Sequence, residues 1–94
     1  MATRVVRFTG VTPERMEALK ARIQESGGPP PDVPSTGLQV LYDEAQGTAV
    51  VLQHFASAAD LEAGARVMEQ MDPSETPGAR ASVDACEVAI EMRA

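Results

Sequence analysis

Hydrophobic and polar residues alternate in four stretches of the chain, and such alternation is typical of strands with one covered face. The first stretch is residues 3–9, which Gly10 ends. The next two, residues 38–42 and 48–55, are separated only by a short polar loop. The last is residues 82–92. The pattern therefore predicts four strands, and the middle two form a hairpin.

Apolar residues recur at the helical period in two further stretches, which predict helices over residues 13–26 and 58–71. Thr12 stands directly before the first helix and Ser57 before the second. A hydroxyl at that position accepts a hydrogen bond from a free amide of the first turn. Gly27 fits the left-handed position that ends a helix.

Glycine and proline mark two other places along the chain. In the segment Gly27–Pro34, six of eight residues are glycine or proline, which excludes a helix or a central strand. We interpret this segment as a stiff surface connector, with an extended recognition ligand as the alternative. Gly64 lies inside the second predicted helix at a cost of about 1 kcal/mol relative to alanine. A close approach of helix to sheet would explain it.

The register of the predicted hairpin follows from its apolar positions. A five-residue loop over residues 43–47 places apolar side chains opposite each other on one face. The pairs are then Tyr42 with Thr48, Val40 with Val50, and Leu38 with Leu52. A loop one residue shorter breaks this agreement.

The order β-α-β-β-α-β predicts the α+β, ferredoxin-like arrangement in a single domain, residues 1–94. Its four-stranded antiparallel sheet carries both helices on one face. Alternation along the strands assigns the following residues to the helix-covered face: Val6, Phe8, Leu38, Val40, Tyr42, Val50, Leu52, Cys86, Val88, Ile90 and Met92. It assigns a mixed set to the opposite, bare face: Val5, Arg7, Gln39, Leu41, Ala49, Val51, Gln53, Phe55, Ala85, Glu87 and Ala89.

The predicted bare face is too apolar for a sheet that faces water. A half-apolar face of this size normally marks an interface or a ligand groove. We therefore expect two copies to pack these faces together as a symmetric homodimer. A small organic ligand between the sheets, or a role as an accessory subunit, fits the polar residues on the same face.

Composition and charge narrow the partners and the compartment. The chain has 94 residues, about 64% of whose surface would be buried on folding. The net charge of −6 disfavours nucleic acid and anionic membranes as partners. The single cysteine excludes an intramolecular disulfide, and the N-terminus lacks a signal-peptide pattern, so we expect a cytoplasmic protein.

Three features together resemble a known family: the hairpin Leu38 to Phe55, the helix capped by Ser57, and the run Thr76–Val83 that precedes Glu87. They resemble the dimeric α/β-barrel superfamily, and within it small proteins related to the antibiotic-biosynthesis monooxygenases. The resemblance implies a barrel of two sheets with a cavity for a small, often aromatic, molecule. Members that oxygenate without a cofactor commonly use Trp, Asn and His, whereas this chain contains neither Trp nor Asn.

Two residues are candidates for catalysis, His54 and Arg7. His54 is the only histidine, and an imidazole serves as a general base near neutral pH. By alternation it belongs to the helix-covered face, where it caps the core edge, unless a local bulge turns it toward the cleft.

The candidate ligand-binding residues are Arg7, Gln39, Gln53, Phe55 and Glu87, all assigned to the bare face. Arg7 and Glu87 either clamp a ligand or pair with each other. The two glutamines either orient a ligand or belong to an ordinary wet interface. Phe55 is the one aromatic residue that this assignment leaves to a cleft.

We expect no metal and no cofactor. Histidine, cysteine and acidic residues show no ligand spacing, and Cys86 is interpreted as a small buried hydrophobe. Three functions remain: a ligand-binding or accessory homodimer; a cofactor-independent monooxygenase, isomerase or lyase; and a structural interaction module.

Overall fold

The computed structural model describes residues 1–27, 33–69 and 77–92. Six elements follow one another along the chain, and their bounds are β1 (Ala2–Thr9), α1 (Pro13–Ser26), β2 (Ser35–Asp43), β3 (Thr48–Phe55), α2 (Ala58–Met68) and β4 (Ala79–Glu87). The strands form one antiparallel sheet in the order β2-β3-β1-β4. The predicted ferredoxin-like α+β fold is confirmed.

Helix α1 has the bounds that the sequence predicted. The Thr12 hydroxyl accepts a hydrogen bond from the amide of Arg15, and Pro13 occupies the first helical position. Gly27 ends the helix with φ of 71°, and its amide donates to the carbonyl of Ile23. The Thr12 cap and Pro13 therefore determine where the helix begins, and Gly27 determines where it ends.

Helix α2 begins where predicted, after Ser57, whose hydroxyl accepts from the amide of Asp60. It ends at Met68, before the predicted end at residue 71, and residues 70 and 71 lie outside the described part of the chain. A methyl group added to Gly64 would lie 2.6 Å from the ring of Phe55. The predicted close approach of this helix to the sheet is confirmed.

The hairpin between β2 and β3 has a different register from the predicted one. Asp43 pairs with Thr48 and Tyr42 with Ala49, so the loop is residues 44–47. An Asx-type contact explains the shorter loop, because the Asp43 carboxylate accepts from the amide and the side chain of Gln46. This slip by one residue moves every side chain of β3 to the other face from the one we predicted.

Strand β4 occupies residues 79–87 instead of 82–92. Its partner β1 has eight residues, and Ala2 at the start of β1 pairs with Glu87. The amide of Val88 donates to the carbonyl of Met1, which ends the ladder. Residues 88–92 therefore have no strand beside them, and Ile90 and Met92 are exposed rather than part of the core.

Both helices cover the same face of the sheet, as predicted. One buried cluster lies beneath α1 and consists of Val6, Phe8, Val11, Met16 and Ala49. A second lies beneath α2 and consists of Ala2, Val33, Phe55 and Leu61. The predicted connector Gly27–Pro34 falls largely on residues 28–32, which lie outside the described residues.

Candidate functional site

The bare face of the sheet is made by alternate residues of all four strands. Directly paired residues of antiparallel strands share a face, so the observed registers define its members. They are Thr3, Val5 and Arg7; Gly37, Gln39 and Leu41; Val50, Leu52 and His54; and Ser82, Asp84 and Cys86. Neither α1 nor α2 packs on this face.

Apolar side chains occupy the middle of the bare face. Val5 pairs with Leu52, and Val50 pairs with Leu41, whose side chain is 52% exposed. Polar side chains frame this group, with Arg7 at one end and His54 at the other. An apolar centre with a polar frame is the usual composition of a surface that is covered in the assembled protein.

A hydrogen-bonded row crosses three strands at one end of the bare face. His54 Nδ1 lies 3.2 Å from Thr3 Oγ1, and His54 Nε2 lies 3.2 Å from Gln39 Oε1. A neutral imidazole satisfies both contacts when Nε2–H donates to the amide oxygen and the hydroxyl donates to Nδ1. A methyl group added at Gly37 would lie 3.7 Å from the ring, which is an ordinary contact distance.

The position of His54 corrects the prediction. Alternation with the wrong hairpin register placed this side chain on the helix-covered face, whereas it lies on the bare face. No bulge in β3 is required, because the four-residue loop alone moves the side chain of His54 to the other face of the sheet. His54 and Gln39, which we had assigned to opposite faces, are therefore in contact.

Arg7 lines an open depression of about 280 Å³ at the other end of the bare face. The remaining lining residues come from the hairpin: Leu41, Tyr42, Asp43, Gln46, Thr48 and Val50. A guanidinium beside an apolar wall suits an organic molecule that carries an acidic or carbonyl group. Arg7 and Gln39 are the two predicted ligand-binding residues that lie on the bare face.

Gln53, Phe55 and Glu87 do not lie on the bare face. Phe55 is completely buried beneath α2 and is therefore a core residue in this structure. Gln53 is 4% exposed and pairs with Arg4 on the covered side. Glu87 pairs with Ala2, also on that side, and so does not lie beside Arg7. All three errors follow from register, for Gln53 and Phe55 in β3 and for Glu87 in β4.

A buried polar pair, Arg4 and Gln53, escaped the sequence reasoning. Arg4 is 5% exposed, and neither its Nε nor the Oε1 of Gln53 has a hydrogen-bond partner. Burial lowers the pKa of the Arg4 guanidinium, the charge of Arg80 lowers it further, and Glu69 partly opposes both. The signal was present in the sequence, since Arg4 stands at a covered position between Ala2 and Val6, but our assignment of strand residues to the two faces began only at Val5.

Cys86 was also misplaced. It was predicted to be a buried hydrophobe, yet it is exposed on the bare face, opposite Thr3. The strand that carries it lies at the edge of the sheet, and all its described side chains are exposed.

Residues 1–27, 33–69 and 77–92 contain neither a cluster of metal ligands nor a membrane-spanning helix. In these ranges, no three histidine, cysteine or acidic side chains converge as metal ligands would. No helix within the same ranges is long and apolar enough to cross a membrane.

The structure can be compared with two solved proteins. A mutant of MhuD, crystallised with two manganese protoporphyrin IX molecules bound per active site, superposes with a TM-score of 0.64 over the whole of both chains at 15% identity. Rv0793 from Mycobacterium tuberculosis superposes with a TM-score of 0.57 over 98% of each chain at 14% identity. The chain has their fold.

At this level of identity, the likeness concerns the fold alone. It confirms the ferredoxin-like fold of the single chain. The sequence itself matches no protein-family model and no curated protein.

Proposed function

We propose that the chain forms a homodimer through its bare face and that the dimer binds a small organic ligand. The observation that carries the proposal is the apolar centre of the bare face, which neither helix of the chain covers. Two copies that pack these centres together remove this surface from water, which is the main driving force for association.

The charges on the bare face favour a second copy as the partner. Arg7 and Asp84 lie on the neighbouring strands β1 and β4. Arg7 pairs with Ser82, and Asp84 pairs with Val5. Within the described part of the chain they form no ion pair with each other. In a two-fold assembly, the face meets itself, so each charge of one copy is available to the opposite charge of the other.

The depression beside Arg7 supports the ligand-binding part of the proposal. It opens on the bare face, and packing against a second copy would convert the open surface into an enclosed site. A mutant of MhuD, which has the same fold, was crystallised with two manganese protoporphyrin IX molecules bound per active site, and this precedent is consistent with ligand binding. An acidic or carbonyl group of the ligand would meet the guanidinium, and an apolar body would meet Leu41 and Val50.

Sedimentation equilibrium at micromolar concentration tests the assembly. We expect twice the chain mass for the wild type and the single-chain mass for Leu41→Glu, because two added carboxylates would be buried at the interface. Ala63→Glu adds the same charge to an exposed position of α2 and should leave the dimer intact. A monomeric wild type, or equal effects of the two variants, would contradict the proposal; binding of only a different protein would favour the interaction module.

A cofactor-independent enzyme is the second candidate, and the orientation of His54 supports it. The imidazole lies on the bare face, where a bound molecule could reach it. However, Thr3 and Gln39 occupy both ring nitrogens, so a substrate must displace one of them before a proton can be transferred. For this reason we place binding ahead of catalysis.

The nitrogen-15 chemical shifts of the His54 ring, measured during titration with benzoate, report whether His54 keeps its hydrogen bonds to Thr3 and Gln39. Unchanged ring shifts would support the binding function. A ring nitrogen that leaves Gln39 and contacts the probe would favour the enzyme.

A further inference from the structure

A buried arginine separates the two hydrophobic clusters on the covered face. Arg4 lies on β1 between Ala2 of one cluster and Val6 of the other. Its direct partner on β3 is Gln53, and both side chains are more than nine-tenths buried. Because α1 covers one cluster and α2 the other, this polar pair lies between the parts of the sheet that the two helices cover.

The polar atoms of this pair lack partners. Arg4 Nε is a donor without an acceptor, and Gln53 Oε1 is an acceptor without a donor. Among the described residues no acid forms an ion pair with Arg4. Glu69 lies instead at the surface, 3.8 Å from Arg80. Buried arginines in proteins are almost always paired, because an uncompensated charge away from water is costly.

The two missing partners differ in chemistry. A guanidinium donor requires an anionic or strongly polar acceptor, for which a carboxylate has the matching geometry. The amide oxygen of Gln53 requires a hydroxyl or N–H donor. The surroundings, which include Ala2 and Val6, require an apolar body.

We propose that Arg4 and Gln53 bind a small hydroxycarboxylic acid. The carboxylate accepts from the guanidinium of Arg4, the hydroxyl donates to Oε1 of Gln53, and the carbon skeleton packs between the two clusters. Because both protein atoms are enclosed, the side chains that surround them must move apart for the ligand to enter. This site lies on the opposite face from the proposed dimer interface, so either proposal can fail without the other.

The test uses three probes with the intact chain: 3-hydroxybenzoate, benzoate and phenol. Isothermal titration and amide chemical shifts report affinity and location. We expect 3-hydroxybenzoate to bind most tightly, with the largest shifts at Arg4 and Gln53. Arg4→Met should weaken it at least tenfold, and Gln53→Leu should remove its advantage over benzoate.

Two further variants guard against misfolding and nonspecific charge effects. Arg4→Lys keeps the charge but not the forked geometry, and should bind with intermediate affinity. Arg15→Met removes an exposed arginine from α1 and should bind as the wild type does. Without ligand, Arg4→Met should unfold at the same or a higher denaturant concentration, because an unpaired buried charge has been removed.

Three results would overturn the proposal. One is equal binding of 3-hydroxybenzoate by the wild type and Arg4→Met. Another is a set of chemical shifts confined to residues around Arg7. The third is a clear loss of ligand-free stability in Arg4→Met, which would mean that the arginine already has its partner within the chain.

Discussion

Both faces of this sheet carry apolar side chains, but the two faces differ in how those side chains are packed. On the covered face, Phe55 is completely enclosed and Gly64 of α2 lies against its ring. On the bare face, Leu41 is half exposed and nothing in the described chain lies over it. The presence of apolar side chains on a face therefore does not by itself identify a core; the elements that cover the face do.

The polar side chains of the two faces differ in whether they have hydrogen-bond partners. On the bare face, Thr3, His54 and Gln39 satisfy one another. On the covered face, Arg4 and Gln53 have atoms without partners. These three side chains of the bare face satisfy one another, whereas the buried pair contains a donor and an acceptor without a partner.

The largest expected effect comes from truncating one apolar side chain on each face. Phe55→Ala should lower the free energy of unfolding by about 3–5 kcal/mol, because it leaves a cavity beneath α2. Leu41→Ala, measured at a protein concentration low enough to exclude dimers, should change it by less than about 0.5 kcal/mol. Urea denaturation followed by circular dichroism measures both values. Similar losses in the two variants would contradict the distinction between the faces.

A smaller effect tests the tight packing of α2. Gly64→Ala adds a methyl group 2.6 Å from the Phe55 ring and should cost about 2 kcal/mol, despite the better helix propensity of alanine. Ala63→Ser alters the adjacent exposed position and serves as the control. Stabilisation by Gly64→Ala would show that the helix lies further from the sheet than described.

The smallest effect compares two hydroxyl groups. Thr3→Val removes the hydrogen bond to His54 while keeping the shape of the side chain, and should cost about 1 kcal/mol. Tyr42→Phe removes a buried hydroxyl that has no partner, and should leave stability unchanged or raise it. Burial raises the pKa of this hydroxyl, with Glu44 and Glu14 adding to the effect. Thermal unfolding at pH 7 measures both variants, and a greater loss in Tyr42→Phe would reverse the contrast.

The sequence predicted the elements well because their signals are local. Thr12, Pro13 and Gly27 determine both ends of α1 by chemistry that involves only a few neighbouring residues. Ser57 does the same for the start of α2. The order of the elements then limited the fold to few arrangements.

The faces of β3 and β4 were harder to predict because pairing register is a property of two strands. The apolar pattern favoured a five-residue hairpin loop, but Asp43 and Gln46 form a four-residue turn. The loop is therefore one residue shorter than predicted, which places His54 on the bare face and Phe55 in the core. In β4, apolar residues continue to Met92, but the length of β1 ends the pairing at Glu87.

The most direct test of the central claim is an isotope-filtered nuclear Overhauser experiment on a mixture of labelled and unlabelled chains. It detects methyl groups of one chain that lie within a few ångströms of another chain. Our account predicts intermolecular contacts from the methyl groups of Val5, Leu41, Val50 and Leu52, and none from those of Val6 on the covered face. Absence of intermolecular contacts, or contacts confined to the helices, would contradict it.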